Sequence, residues 1–134
     1  MDLKGIISIS GKPGLYKVVA QGRNNLIVSA LGQNKKFPIF STDKVSALED
    51  ISIYTYEEDL PLIEVYDKLA NHEKFKKSIN HKANGAELRE RIESFLPNYD
   101  EDRVYDTDLR KLFQWYNILV DQNIVNAKSA EEEE

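Results

Sequence analysis

Hydrophobic and polar positions follow different periods in the two parts of the chain. Before residue 56, short runs of β-branched and aromatic residues alternate with turns that contain Gly, Asn and Pro, as in antiparallel strands. After residue 57, apolar residues recur every three or four positions, as in amphipathic helices. The change predicts one domain over residues 1–56 and a second over residues 57–126.

The first part predicts five short strands. The runs are Ile6–Ile9, Leu15–Gln21, Leu26–Leu31, Lys36–Phe40 and Ile51–Tyr54. Ser10–Gly14 and Gly22–Asn25 supply turns, and Pro38 favours an edge position. A capped helical turn is expected over Ser41–Leu48, before the fifth strand. This spacing predicts a small SH3-like antiparallel β-barrel.

The second part predicts three helices. Residues 62–70 carry the first apolar stripe, and the acids at 57–59 are expected at its N-terminus. Asn84 with Glu87 resembles a capping box for the second helix. Asp106 or Thr107 is expected to cap the third. The third stripe is formed by Leu109, Leu112, Phe113, Tyr116, Leu119 and Val120. The fold class is therefore α+β, with the barrel followed by a three-helix C-terminal segment.

Charge divides the chain in the same way. Its 134 residues carry a formal net charge of −5, made up of +3 over residues 1–56 and −8 over residues 57–134. Residues 127–134 include Glu131–Glu134 and are predicted to be a disordered acidic tail. The absence of Cys excludes disulfides and thiol chemistry. The N-terminal apolar run is too short for a signal peptide or a membrane span, which predicts a cytoplasmic protein without a membrane partner.

Three motifs that suggest bound ions or nucleotides are incomplete. The Gly11-Lys12 pair lacks the earlier Gly of a phosphate loop, since Ile6 stands there. Lys76 replaces the second His of a zinc helix that would begin at His72. The acidic segment from residue 98 lacks the Gly and the bidentate Glu of an EF-hand loop. We therefore expect no metal, no cofactor and no catalysis; a small enzyme that uses Asp100, Asp102 and Asp106 is one alternative.

An aromatic edge of the third helix is the most distinctive feature. Trp115 lies beside the apolar stripe, so it either packs against the barrel or anchors a partner or a second copy of the chain. Together with Tyr99, Tyr105 and Tyr116 it forms the predicted partner-binding set. The leading hypothesis is a non-catalytic interaction or adaptor protein, whose partner is an unknown protein or the chain itself.

Basic residues of the first part suggest a second alternative. RNA or single-stranded DNA would contact Lys12, Lys17, Arg23, Lys35 and Lys36, with nearby aromatic rings available for stacking. However, +3 over 56 residues is a low charge for such a module, and the second part is acidic. Nucleic-acid binding is therefore not favoured.

Several sequence runs resemble an uncharacterised bacterial family of domains of unknown function. Ser8–Lys17, Phe37-Pro38, Asp43–Val45 and Ile51–Thr55 resemble its first domain. Leu96–Asp100, Arg103–Tyr105, Leu109–Leu112 and Trp115–Leu119 resemble its helical companion domain. The resemblance covers about residues 4–125, and it implies no activity, ligand or catalytic residue.

Overall fold

The structure, a computed structural model, describes residues 2–125. These divide into two compact units: residues 3–51, here called the sheet unit, and residues 52–125 with Asp2, here called the helical unit. The predicted α+β class is confirmed, because the first unit contains an antiparallel sheet and the second contains three helices. The predicted acidic tail at residues 127–134 lies outside the described residues.

Five antiparallel strands build the sheet unit. They are β1 (Ile6–Ile9), β2 (Lys12–Gln21), β3 (Asn25–Ala30), β4 (Lys36–Phe40) and β5 (Val45–Ala47), in the spatial order β4-β3-β2-β1-β5. The helical turn predicted over Ser41–Leu48 is wrong, because Val45–Ala47 pair with β1 and only Leu48–Asp50 form a 3₁₀ turn. Pairing with the remaining edge of β1 satisfies backbone groups that an isolated turn would leave to water.

One face of the sheet carries a hydrophobic core cluster. Ile7 lies opposite Tyr16, and Val18 lies opposite Val28, so their side chains share one side of the pleat. Ile7, Ile9, Val28 and Ile39 are buried there. The partly buried residues that pack against them are Tyr16, Val18, Leu26, Phe37 and Ala47.

A tight turn connects the two outer strands, β4 and β5. The Asp43 amide donates a hydrogen bond to the Phe40 carbonyl (2.9 Å), which closes a β-turn. Such a turn spans about 7 Å and two further residues add at most about 7 Å, so Phe40 and Val45 lie within about 14 Å. Four flat strand spacings of about 4.8 Å would separate them by about 19 Å. The sheet is therefore curled, but its described strands still end at β4 and β5, so a closed SH3-like barrel is not confirmed.

The helical unit begins with a strand pair. β6 (Ser52–Tyr54) pairs with β7 (Asp59–Pro61), and α1 (Leu62–His72), α2 (Gly85–Phe95) and α3 (Asp106–Asp121) follow. The strand predicted as the fifth of the first sheet therefore belongs to a separate two-stranded sheet. The acids at 57–59 lie at this hairpin, not in the first turn of α1, because Asp59–Pro61 are extended.

Apolar stripes on the three helices form the core of this unit, as their spacing predicts. Tyr66 and Tyr116 are fully buried, with ring centroids 5.8 Å apart. The Asn84 side chain accepts from the Glu87 amide, which confirms the predicted cap of α2. The N-cap of α3 is neither Asp106 nor Thr107 but Tyr105. No helix within residues 2–125 combines the length and apolar character that crossing a membrane requires.

Candidate interaction surface

Two exposed tyrosines flank a buried threonine at the end of β6. Tyr54 is 43% exposed and Tyr56 is 62% exposed, whereas Thr55 is buried. Side chains alternate along an extended segment, so both rings lie on the same side of the chain. The Tyr54 carbonyl accepts from the Asp100 amide (3.0 Å) and the Tyr56 amide donates to the Asn98 carbonyl (3.0 Å). The segment 98–100 therefore holds the tyrosine backbone in place.

The buried Thr55 fixes the turn that follows these tyrosines. Its hydroxyl oxygen accepts from the Glu58 amide (3.0 Å) and the Glu57 amide (3.3 Å), and it donates to the Glu58 carbonyl. Threonine side chains of this kind satisfy backbone groups of a turn, so these hydrogen bonds stabilise the loop to β7. The two tyrosines are thus attached to a hydrogen-bonded turn.

An arginine stacks on the first tyrosine. The guanidinium carbon of Arg103 lies 4.4 Å from the ring centroid of Tyr54, a cation–π distance. Its Nε donates to Asp100 Oδ2 (2.7 Å) and its Nη2 to the Thr55 carbonyl (3.4 Å). The Arg103 side chain remains about half exposed. Its position is thus set before any partner arrives.

Asp100 organises the loop beneath this arginine. Its Oδ1 accepts from the amides of Asp102 (3.0 Å) and Arg103 (3.3 Å), while its Oδ2 accepts from the Arg103 side chain. The hydrogen bond from Arg103 is the main reason that the pKa of Asp100 is lowered from its ordinary value of 3.8. Both oxygens are occupied by N–H donors, so this carboxylate has a structural role.

We expect Asp100→Asn to remove part of the pH dependence of stability. A carboxyl whose pKa is lowered on folding stabilises the fold above its ordinary pKa of 3.8, and this contribution is lost as pH falls towards the folded value. Wild type should therefore melt higher than Asp100→Asn at neutral pH, and the two should converge in acid. Melting curves at several pH values between about 7 and 2 test this; a constant difference in melting temperature would contradict it.

The second tyrosine is held by its hydroxyl, and exposed acidic residues lie in the same two segments as the pair. The Tyr56 hydroxyl accepts from the Glu101 amide (3.4 Å). Asp59 lies opposite Tyr54 in the β6–β7 pairing. We call Tyr54, Tyr56 and Arg103 the tyrosine–arginine surface. Its exposed acidic rim consists of Glu57, Glu58, Asp59, Glu101 and Asp102.

The four residues predicted to bind a partner are not brought together as one exposed surface. Tyr99 and Tyr116 are buried, and the Tyr116 hydroxyl donates to the Lys76 carbonyl (2.8 Å). Trp115 is partly buried, and Tyr105 is 63% exposed. Tyr116 lies four residues after Leu112, on the core face of α3, and this spacing explains its burial.

The five predicted nucleic-acid contacts lie on different parts of the sheet unit. Register places Lys17 and Lys36 on one face, separated by Ser29. The ammonium of Lys12 lies 4.6 Å from the Phe37 ring centroid, on the core face. Lys35 precedes β4, whereas Arg23 lies in the turn after β2, at the other end of the sheet. All five are exposed, but they do not line one groove.

The loop carboxylates predicted for a small enzyme are engaged or exposed. Asp100 binds Arg103 as described above, and Asp106 Oδ1 accepts from Arg89 Nε (2.9 Å). Asp102 is exposed to solvent. The set therefore presents no carboxylate pair arranged for acid–base work.

A polar cleft between α1 and α2 contains a histidine–serine pair that the sequence did not indicate. Ser94 Oγ lies 3.2 Å from His72 Nε2, and Glu73 Oε1 lies 3.8 Å from the same nitrogen. A catalytic relay needs the serine and the acid on different ring nitrogens. In addition, the Ser94 hydroxyl donates to the Arg91 carbonyl. The pair belongs to two helices at unrelated spacings, so no local motif points to it.

Arg91 occupies the charged centre of this cleft. Its Nη1 lies 2.6 Å from Glu73 Oε2, and the carboxylate is mostly buried. The cleft measures about 470 Å³ and is also lined by Glu87 and Glu90. The ion pair and the helical hydrogen bond of Ser94 account for these groups without substrate chemistry.

Two family models match this chain. Residues 51–119 match a domain of unknown function (DUF6852), and residues 3–48 match another (DUF5606). The chain is also similar to a structural genomics target from Bacteroides vulgatus whose solution NMR structure has been solved, with 46% identity and a TM-score of 0.78 over 92% of this chain and 89% of that one. No curated protein matches. These findings confirm the family resemblance: residues 3–48 match the DUF5606 model, and the chain belongs to the DUF6852 family of domains of unknown function.

Proposed function

We propose that this protein is a non-catalytic, cytoplasmic interaction protein, and that its helical unit binds a partner protein through the tyrosine–arginine surface. The observation that carries the proposal is the stacking of exposed Arg103 on exposed Tyr54, beside exposed Tyr56. Tyrosine and arginine are the residue types enriched at the energetic centres of protein interfaces. This surface belongs to the same unit as the predicted partner-binding aromatics, of which Tyr99 and Tyr116 are buried.

Preorganisation supports this role. Ordering an interfacial side chain on binding costs about 0.5–1.5 kcal/mol. Asp100 and Thr55 already hold Arg103, and the Glu101 amide already binds the Tyr56 hydroxyl. The Arg103 and Tyr56 side chains are therefore partly ordered before the partner binds, which lowers the conformational-entropy cost of binding.

The acidic rim indicates the chemistry of the partner. Five exposed acidic residues lie in the two segments that carry this surface, at Glu57, Glu58, Asp59, Glu101 and Asp102. A partner patch rich in Lys and Arg complements this charge, and its cations can also stack on the tyrosine rings. Binding should then weaken as salt rises, because rim charges are screened.

The two alternative functions have less support. The basic residues proposed for RNA or single-stranded DNA lie on different faces and ends of the sheet unit, so no single groove collects them. The loop carboxylates form ion pairs with arginines or are exposed to solvent.

The curl imposed by the turn at Phe40–Asp43 supports an SH3-like closure of the sheet, which we retain as a proposal about the fold.

A site-specific photo-crosslinker tests the proposed function. A photoreactive phenylalanine analogue replaces Tyr56 in one protein and Gln122 in a matched control. Gln122 is exposed and lies at the far end of α3, roughly 24 Å from its first residue. In a Bacteroides vulgatus lysate, we expect a discrete adduct with a basic protein from position 56 alone, lost in Arg103→Glu. The absence of adducts at 56, or identical adducts at both positions, would refute the proposal.

A further inference from the structure

A second candidate binding surface lies on the sheet unit. A cleft of about 600 Å³ is bounded by the turn at Gln21–Asn25 and by the segment that joins β4 to β5. Leu26 and Ile39 line it as well. Phe40 is 52% exposed and Val45 is 37% exposed, and both line it. The cleft therefore offers the exposed apolar side chains of Phe40 and Val45 to a ligand.

The free edge of β4 is blocked against another strand. The Phe40 amide donates to the Asp43 side chain (2.8 Å) and not to β3, so it points to the outer edge. The Phe40 carbonyl accepts from the Asp43 amide. Pro38, two residues earlier, presents the same edge and has no N–H to donate. These features prevent strand addition at β4, as in other protected edges.

Within residues 2–125, neither a side-chain hydrogen bond nor a proline blocks the free edge of β5 as they block that of β4. The Ser10 amide donates to the Lys44 carbonyl (2.9 Å), so Lys44 faces β1. Backbone groups alternate along an antiparallel strand, and the N–H and C=O of Val45 therefore point away from β1. Among residues 2–125, β5 has a strand on the β1 side alone. An extended peptide is the ligand that pairs with such an edge.

Charge at the cleft selects the kind of peptide. Arg23 lines it, and exposed Lys44 directly precedes Val45. The Asp43 carboxylate already accepts the Phe40 amide. Residues 3–51 carry seven Lys and Arg against three Asp and Glu, a net charge of +4. An acidic segment is thus favoured over a basic one.

We propose that β5 and the adjoining cleft bind an extended acidic segment of a partner protein by β-strand addition, with an apolar side chain of that segment resting on Phe40. The strand β5 has three residues, so backbone pairing supplies few hydrogen bonds. The apolar contact and the contact with Arg23 must supply the rest of the affinity. Together with the tyrosine–arginine surface, this site would give an adaptor two faces of opposite charge preference.

Fluorescence anisotropy with the full chain tests this proposal. The probe is a labelled ten-residue peptide in which valine and glutamate alternate, and the control peptide has lysine in place of glutamate. We expect the acidic peptide to bind at least tenfold more tightly than the basic one. Val45→Pro should weaken binding at least tenfold, because it removes the outward N–H while sparing the bonds to β1. Two further variants, Phe40→Ser and Arg23→Glu, leave the backbone hydrogen bonds of β5 unchanged. Each should also weaken binding of the acidic peptide at least tenfold.

Tyr105→Ala serves as the control, because this exposed tyrosine lies in the helical unit and the variant should bind the acidic peptide like wild type. Equal affinity for the two peptides, or unchanged affinity in Phe40→Ser and Arg23→Glu, would overturn the proposal. So would sedimentation of the peptide-free chain as a dimer that Val45→Pro dissociates, since a second copy would then occupy the edge. Displacement of the peptide by a single-stranded oligonucleotide would also overturn it, in favour of nucleic acid.

Discussion

Replacing Tyr116 with alanine is expected to lower the free energy of unfolding by about 3–5 kcal/mol, the range for removing a large aromatic side chain from a core. The ring is fully buried and packs against Tyr66. Burial also raises the pKa of the Tyr116 phenol. Tyr116→Phe keeps the ring and loses only the hydrogen bond to the Lys76 carbonyl, so its cost should be about 1 kcal/mol.

Denaturant unfolding followed by Trp115 fluorescence measures both changes. Tyr105→Ala is the matched control: this tyrosine is 63% exposed, and its loss should alter stability by at most about 0.5 kcal/mol. A Tyr116→Ala protein with near-native stability and weakened partner binding would contradict the structural role. It would also restore Tyr116 to the partner surface that its sequence position suggested.

The second large effect is expected in partner binding. The double variant Tyr54→Ala/Tyr56→Ala should weaken binding of the partner crosslinked at position 56 by about 2 kcal/mol or more, which is on the order of 30-fold. The physical reason is the loss of two rings that are held in place before binding. One of them, Tyr54, also stacks against the Arg103 guanidinium. Titration calorimetry with the purified partner measures the change.

Two controls separate this effect from general damage. Tyr105→Ala removes an exposed tyrosine outside the tyrosine–arginine surface. Phe40→Ser changes the cleft of the sheet unit, a different site on the chain. Both should bind the partner within about twofold of wild type, which is about 0.4 kcal/mol. Equal losses in all three variants would contradict a specific surface.

The regular elements were predictable because their patterns are local. The stripe of α3 places Tyr116 four residues after Leu112, and that spacing alone indicates a core position. Asn84 with Glu87 likewise identified the cap of α2. β1 and β4 were predicted with the bounds observed, since turn residues delimit them in sequence.

Other features depend on contacts between distant residues and could not be read locally. β6 has the composition of any short strand, and only its pairing with β7 shows that it leaves the first sheet. Arg103 reaches the Tyr54 ring across 49 positions. Tyr54 and Tyr56 flank Thr55 in a strand-like alternation, a signal that does indicate a shared face. The sequence did not distinguish that exposed face from a buried one, because both favour tyrosine.

The most direct test of partner binding at the tyrosine–arginine surface is a titration of the ¹⁵N-labelled full-length chain, followed by its amide chemical shifts. The titrant is the purified partner that crosslinking at position 56 identifies. The tyrosine–arginine surface predicts that the largest shift changes fall in residues 54–59 and 98–103, and that Arg103→Glu abolishes them. Changes centred instead on Trp115 and Tyr105, or on Lys12, Lys17 and Lys36, would contradict the account.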